Sequence, residues 1–145
     1  MNDVVHRNRG KRVMLAAALA VLVIPIAAFS LFVGWNKAFA PLDVLAQHSA
    51  WTIHLPVLLG RAIGWLELVA ATTLLVALVV PRLSRAGMYA AIWITLNNTV
   101  AAIVHVLYAE WHTLPQSAVV ITLCTIMVLL FARRARGVAI EGKRG

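Results

Sequence analysis

Four long apolar blocks occupy most of this 145-residue chain, over residues 13–35, 56–80, 88–109 and 116–132. Each approaches the roughly 20 residues that carry an α-helix across the hydrocarbon of a bilayer. The last is the shortest, yet it is uncharged from Thr113 to Ala132. No stretch alternates with a period of two for long enough to form a barrel strand. A chain in lipid must satisfy its own backbone groups, so the expected fold is all-α: a bundle of four transmembrane helices. With 62% hydrophobic and 12% charged residues, the chain lies far from soluble domains, which are roughly half apolar and a quarter charged. Its length allows one domain, and a lone cysteine, Cys124, excludes a disulfide framework.

Arg7, Arg9, Lys11 and Arg12 precede the first block as they would a secretory signal. The block is too long for a signal core and three more follow it, so it is expected to be retained as a helix. Pro25 removes a backbone donor near its middle and predicts a kink there. The tail of residues 1–12, the 81–87 loop (Arg82, Arg85) and the tail of residues 133–145 (Arg133, Arg134, Arg136, Lys143, Arg144) carry eleven of the 13 lysines and arginines. The loops of residues 36–55 and 110–115 carry only Lys37. The positive-inside rule then places both basic tails in the cytoplasm, for a multi-pass protein of the inner (cytoplasmic) membrane. The net charge of +8 is thereby assigned to topology and anionic lipid, and nucleic acid is not an expected partner.

The first outer loop holds Trp35 and Trp51 at its ends, with Trp111 in the other outer turn, and all three are expected to mark the outer interface. Pro41 can start a short helix with Leu42, Leu45, Ala46 and Ser49 on one side, lying on the membrane or covering the bundle mouth; the alternative is an irregular loop.

Polarity inside the apolar blocks is where function is to be sought, because burying it is costly. Glu67 lies about eleven residues from the outer end of its span, near the bilayer centre at ~1.5 Å rise per residue. A carboxylate there must be neutralised, paired or reached by water. Gly60, Gly64, Glu67 and Ala71 share one helical face, and the GRAIG stretch over residues 60–64 is a small-xxx-small pattern that draws helices together. Glu67 is therefore expected to face the bundle interior, as a functional group or as a hydrogen-bonded anchor between helices. Asn98 lies at matching depth on the third span and is the expected partner of Glu67. His105 follows it at i+7, nearer the outside, with Lys37 just beyond the first span. Asn97 and Arg61 are secondary candidates: both asparagines read equally as functional groups or as interhelical glue, and Arg61 either joins the outer polar layer with Lys37 and His105 or snorkels to the headgroups. Histidines 48, 54, 105 and 112 all lie toward the outer side, in spacings that fit no usual ligand pattern, so no metal or haem is expected. Cys124 reads as a small apolar residue. No phosphate loop, CxxC pair or nucleophile triad is present, so no catalytic residue is assigned.

Three stretches taken together resemble a known family. Residues 29–39 read FSLFVGWNKAF, residues 58–78 LLGRAIGWLELVAATTLLVAL and residues 90–110 AAIWITLNNTVAAIVHVLYAE. Lysine, glutamate and histidine in order on three successive spans are similar to the DoxX family, more narrowly its DoxX-like branch. The resemblance implies a four-helix membrane bundle whose members serve as membrane subunits linked to redox chemistry, with quinone as acceptor, or as partners of proteins handling oxidative stress. By position it points to Lys37, Glu67 and His105. A direct thiol–disulfide role does not fit a chain with one cysteine.

The leading expectation is a membrane subunit or partner of a redox assembly. An apolar pocket would take a quinone among Glu67, Asn98 and His105, with Lys37 at the rim. A redox-enzyme protein and further copies of the chain are the candidate protein partners. The alternatives are a small proton-coupled transporter and a non-catalytic assembly scaffold.

Overall fold

Apolar blocks of this length form helices, and the computed structural model, which describes residues 2–141, builds them into a four-helix bundle. The helices are α1 (Asn2–Phe39), α2 (Leu42–Gln47), α3 (Val57–Val79), α4 (Ser84–Leu107) and α5 (Leu114–Glu141). One-turn 3-10 segments precede α3, α4 and α5. The described residues contain no strand. Residues 2–9, 11, 140 and 141 are described by backbone alone, and the basic tail residues Lys143 and Arg144 lie outside the described residues.

Four of the helices are long and apolar enough to cross a membrane. In the most apolar window of each, only 28–33% of residues are buried inside the protein, so most of the apolar surface faces outward, as lipid requires. The helices overrun the apolar blocks. α1 begins at Asn2, continues through Pro25 and ends at Phe39 instead of near residue 35, and α5 continues into the basic tail. Around the bundle α1 packs on α3, α3 on α4, α4 on α5, and α5 back on α1. Consecutive long helices alternate in direction, which leaves both chain ends at one end of the bundle and the long 40–56 connection at the other.

Between helices in lipid there is no hydrophobic drive, and small residues that admit close backbone contact carry the packing. Gly34 of α1 and Gly64 of α3 meet directly, and Gly87 of α4 lies under the Phe131 ring. The main core holds Leu19, Val23, Ala71, Leu74, Ile94, Cys124, Met127 and Phe131 and fills the half nearest the chain ends. There the guanidinium of Arg134 donates to the carbonyls of Ala77 and Leu78, which the end of α3 leaves without helical donors. A second, smaller cluster of Trp51, Ile63 and Ala101 stands near the long connection. Buried polarity gathers in that half.

The long connection is ordered. Pro41 caps α2, whose Leu45 is buried, and the chain then turns through Ser49 into the Trp51–His54 segment. Ser49 was expected on the α2 face. It lies instead beyond the helix with φ 50°, in the left-handed conformation of a helix stop. The amides of Ser49 and Ala50 return to the carbonyls of Ala46 and Leu45, the crossed pair of a Schellman motif. α4 ends the same way: Ala109 has φ 59°, and the amides of Ala109 and Glu110 return to Val106 and His105. Neither position holds glycine, so the sequence carries no obvious sign of either turn. Of the three outer tryptophans, Trp51 is 5% exposed and packed inside the protein, whereas Trp35 and Trp111 are 61% and 60% exposed.

Candidate functional site

A carboxylate held away from water requires donors around it, and Glu67 has two. Lys37 Nζ lies 2.7 Å from Oε1, and the Asn97 side-chain amide donates to the same oxygen at 2.5 Å. Lys37 is 4% exposed and Glu67 5%. The pair is a buried ion bridge between α1 and α3, fastened to α4 by Asn97. The expected face of α3 is the one found: Gly60, Gly64, Glu67 and Ala71 are all buried. Close contact at Gly34 and Gly64 brings the two helices near enough for the bridge.

Lys37 was expected beyond the first span, at a rim. Because α1 continues to Phe39, Lys37 stays within the helix and turns inward, with its ammonium 5.4 Å from the centre of the Trp51 ring. That distance is within cation–π range. The Arg61 guanidinium donates to the backbone carbonyl of Lys37 at 2.9 Å, satisfying an acceptor in the last turn of α1.

Asn97, and not Asn98 as expected, is the partner of Glu67. Asn97 holds Glu67, while the Asn98 amide donates to the Ile94 carbonyl one turn back in its own helix. The buried stripe of α4 runs Ala90, Ile94, Asn97, Ala101 and His105, steps of three and four that lead to Asn97. Asn98 lies about 100° around the helix from it and lines an adjoining cavity.

That cavity, about 280 Å³, opens in the half of the bundle nearest the long connection. Its wall includes Phe29, Ser30 and Val33 of α1, Ala101 and His105 of α4, and Ser117 of α5. Lys37 and Glu67 also line it, and Leu45, Ser49 and Trp51 of the connection border it. The structure thus brings Lys37, Glu67, Asn98 and His105 to one cavity and sets Asn97 behind Glu67. Two buried polar atoms on lining residues have no partner, Glu67 Oε2 and Trp51 Nε1.

Sequence reasoning missed the neighbours of His105. Its Nδ1 lies 2.6 Å from Glu110 Oε2, and His54 Nε2 lies 3.4 Å from Oε1 of the same carboxylate. An ionised carboxylate only accepts, so the imidazoles supply the N–H groups. Five residues separate His105 from Glu110, which is no helical neighbour spacing. The left-handed turn at Ala109 folds Glu110 back over the helix end. His54 also stacks on Tyr108, ring centres 3.5 Å apart, and Ser49 Oγ lies 3.4 Å from His112 Nε2. Among the described residues no cluster of three histidine, cysteine or acidic side chains could hold a metal.

The hydrogen bond from His105 holds the Glu110 carboxyl below its ordinary 4.5; partial burial opposes this, and His54 adds a smaller pull in the same direction. A depressed carboxyl pKa stabilises the fold fully above the ordinary value, and the contribution disappears as pH falls through the depressed one. Thermal unfolding in detergent will therefore shift to lower temperature as pH drops below about 4.5. Glu110→Gln will flatten that part of the profile. An unchanged profile in the variant would show that the His105–Glu110 contact contributes nothing to stability.

Comparison with family models matches residues 20–128, which contain Lys37, Glu67, Asn97, Asn98, His105 and Glu110, to the model described as the DoxX-like family. No curated protein and no solved structure matches the chain. With three quarters of its residues and the whole buried polar set inside the match, this multi-pass membrane protein belongs to the DoxX-like family.

Proposed function

We propose that the chain is a membrane subunit or partner of a redox assembly, and that its cavity takes the head of a quinone-type lipophilic ring. One observation carries this reading: a cavity of about 280 Å³, with Phe29, Val33 and Leu45 among a largely polar set of lining side chains, has the buried Lys37–Glu67 pair in its wall, Asn97 behind that pair, and His105 also in its wall. Small-molecule sites likewise combine apolar wall with convergent polar groups, and this cavity lies just below their usual size range. A flat ring with polar oxygens at its edges matches it.

His105 gives the cavity a proton connection. It borders the cavity and bonds Glu110, whose side chain is 20% exposed at the bundle end. In the orientation that the basic residues favour, both chain ends lie in the cytoplasm of an inner membrane and this connection leads outward. Electrons would be exchanged with a partner protein. A proton-coupled transporter would use the same groups, but the half of the bundle beyond Glu67 is closed by fully buried Leu19, Leu74, Ile94 and Phe131. A scaffold role alone has no use for a polar-lined cavity.

The test is titration of the purified protein in detergent with a decyl-substituted dimethoxy-methyl-benzoquinone, read by tryptophan quenching. Wild type is expected to bind saturably. Ala101→Leu, which places extra methyl groups in the cavity wall, is expected to weaken binding roughly tenfold or more, about 1.4 kcal/mol. Equal titration of wild type and variant would remove the cavity as the site. Mass spectrometry of lipids and proteins retained in gentle purification tests the partner.

A further inference from the structure

We infer that Ser30 and Ser117 are ligand contacts, two hydroxyls at the floor of the cavity that hydrogen-bond the polar edge of the bound ring. This rests on the quinone reading above and adds to it two residues that touch the ring and the place where its polar edge sits.

On α1 and α5 the buried stripe changes character at one point. In α1 it runs from Leu19 and Val23 through Ile26 and Ala27 to Ser30, and in α5 from Phe131, Met127 and Cys124 through Val120 to Ser117. The apolar members belong to the main core. The two serines line the cavity. They stand where the core ends and the open space begins, on neighbouring helices of the bundle.

A hydroxyl inside a helix has a ready acceptor in the carbonyl one turn earlier. The threonines within α3, α4 and α5 all use it: Thr72, Thr73, Thr95, Thr99, Thr122 and Thr125 each donate four residues back. Ser30 and Ser117 do not. They are 4% and 5% exposed, yet among the described residues neither hydroxyl has a hydrogen-bond partner. Nor is either oxygen sealed by packing, as the unpartnered Glu67 Oε2 and Trp51 Nε1 are. A side chain this buried keeps an accessible oxygen by facing internal space, and the space that both serines border is the cavity.

A buried hydroxyl without a partner is costly, and a polar atom of a ligand at the floor removes that cost. A hydroxyl both donates and accepts, so each serine serves a ring carbonyl or a ring hydroxyl. Phe32, His48 and Gln116 also line the cavity and are exposed, which marks its mouth. A ring held by its edge at the floor directs its alkyl tail out past them.

The experiment titrates the same decyl benzoquinone into detergent-solubilised wild type, Ser30→Ala, Ser117→Ala and the double variant, with thermal unfolding of each measured alongside. Loss of one neutral hydrogen bond is expected to weaken binding roughly three- to tenfold at each serine, and roughly ten- to a hundredfold in the double variant. Unfolding temperatures should stay at or above wild type, because no hydrogen bond within the protein is lost. Thr122→Ala removes a hydroxyl of α5 that is exposed and bonded to its own helix, and it should bind like wild type. Saturable wild-type binding that survives the double variant unchanged overturns the role of the serines and leaves the quinone site standing. An effect at one serine alone overturns the role of the other. Weaker binding with a matching loss of stability assigns the serines to packing and overturns the contact. No saturable binding by wild type overturns both the contact and the quinone reading.

Discussion

Lys37→Met will destabilise the protein by about 3–5 kcal/mol, the range for breaking a buried ion pair by removing one partner. The reason lies in what remains. Glu67 is 5% exposed, and with Lys37 gone its only donor is Asn97. Desolvation of a carboxylate is not offset by one amide. Adding Glu67→Gln removes the uncompensated charge while keeping an oxygen for Asn97, so the double variant is expected to recover most of the loss. A double-mutant cycle on unfolding in mixed detergent measures this, the coupling between the two positions being the quantity of interest. If Lys37→Met unfolds like wild type, the ion pair does not hold α1 to α3. If the double variant is as unstable as the single one, Lys37 acts through packing, including its contact with the Trp51 ring.

The second large effect is expected at the helix contact that makes the pair geometrically available. Any side chain on Gly64 meets backbone: its Cβ would stand 2.6 Å from Ala38 N, 2.9 Å from Gly34 O and 2.9 Å from Lys37 C. None of these is the end of a flexible side chain, so α1 and α3 must separate. Gly64→Ala is expected to lower stability by about 1–3 kcal/mol, the range for overpacking, and Gly64→Leu by more. The same separation lengthens the reach from Lys37 to Glu67, so ligand binding should fall with stability. Gly137→Ala is the matched control. Its Cβ meets nothing within 4 Å, and alanine is the better helix former by about 1 kcal/mol. The control should unfold no more easily than wild type. Equal stability of Gly64→Ala and wild type would mean that the α1–α3 contact is loose enough to absorb a methyl group.

These two sites show what kind of information each level of structure holds. The four helices, their apolar outer faces and the inward stripe of α3 are written locally. Hydropathy over about 20 residues and the 3.6-residue repeat need no knowledge of neighbours, and Gly60, Gly64, Glu67 and Ala71 are buried together as that repeat requires. Membership of the DoxX-like family was equally visible, since it depends on residue order.

Three features of the site needed the assembled bundle. Asn97 and Asn98 are adjacent and chemically identical, and only the rotation of α4 against α3 decides which one meets Glu67. Lys37 follows a tryptophan and an asparagine at the edge of an apolar block, so whether the helix ends before it or carries it inward depends on how far α1 is held by α3. Glu110 reaches His105 because Ala109 adopts a left-handed conformation without being glycine, a local cost of roughly 1–2 kcal/mol that the contacts around the turn offset. Composition and periodicity therefore set the solvent, the number of helices and the buried face of α3, because these follow from transfer energies along a single chain. The pairing of charges and the choice between neighbouring side chains were left to packing, because helix rotation and turn geometry are settled only when several elements press on one another.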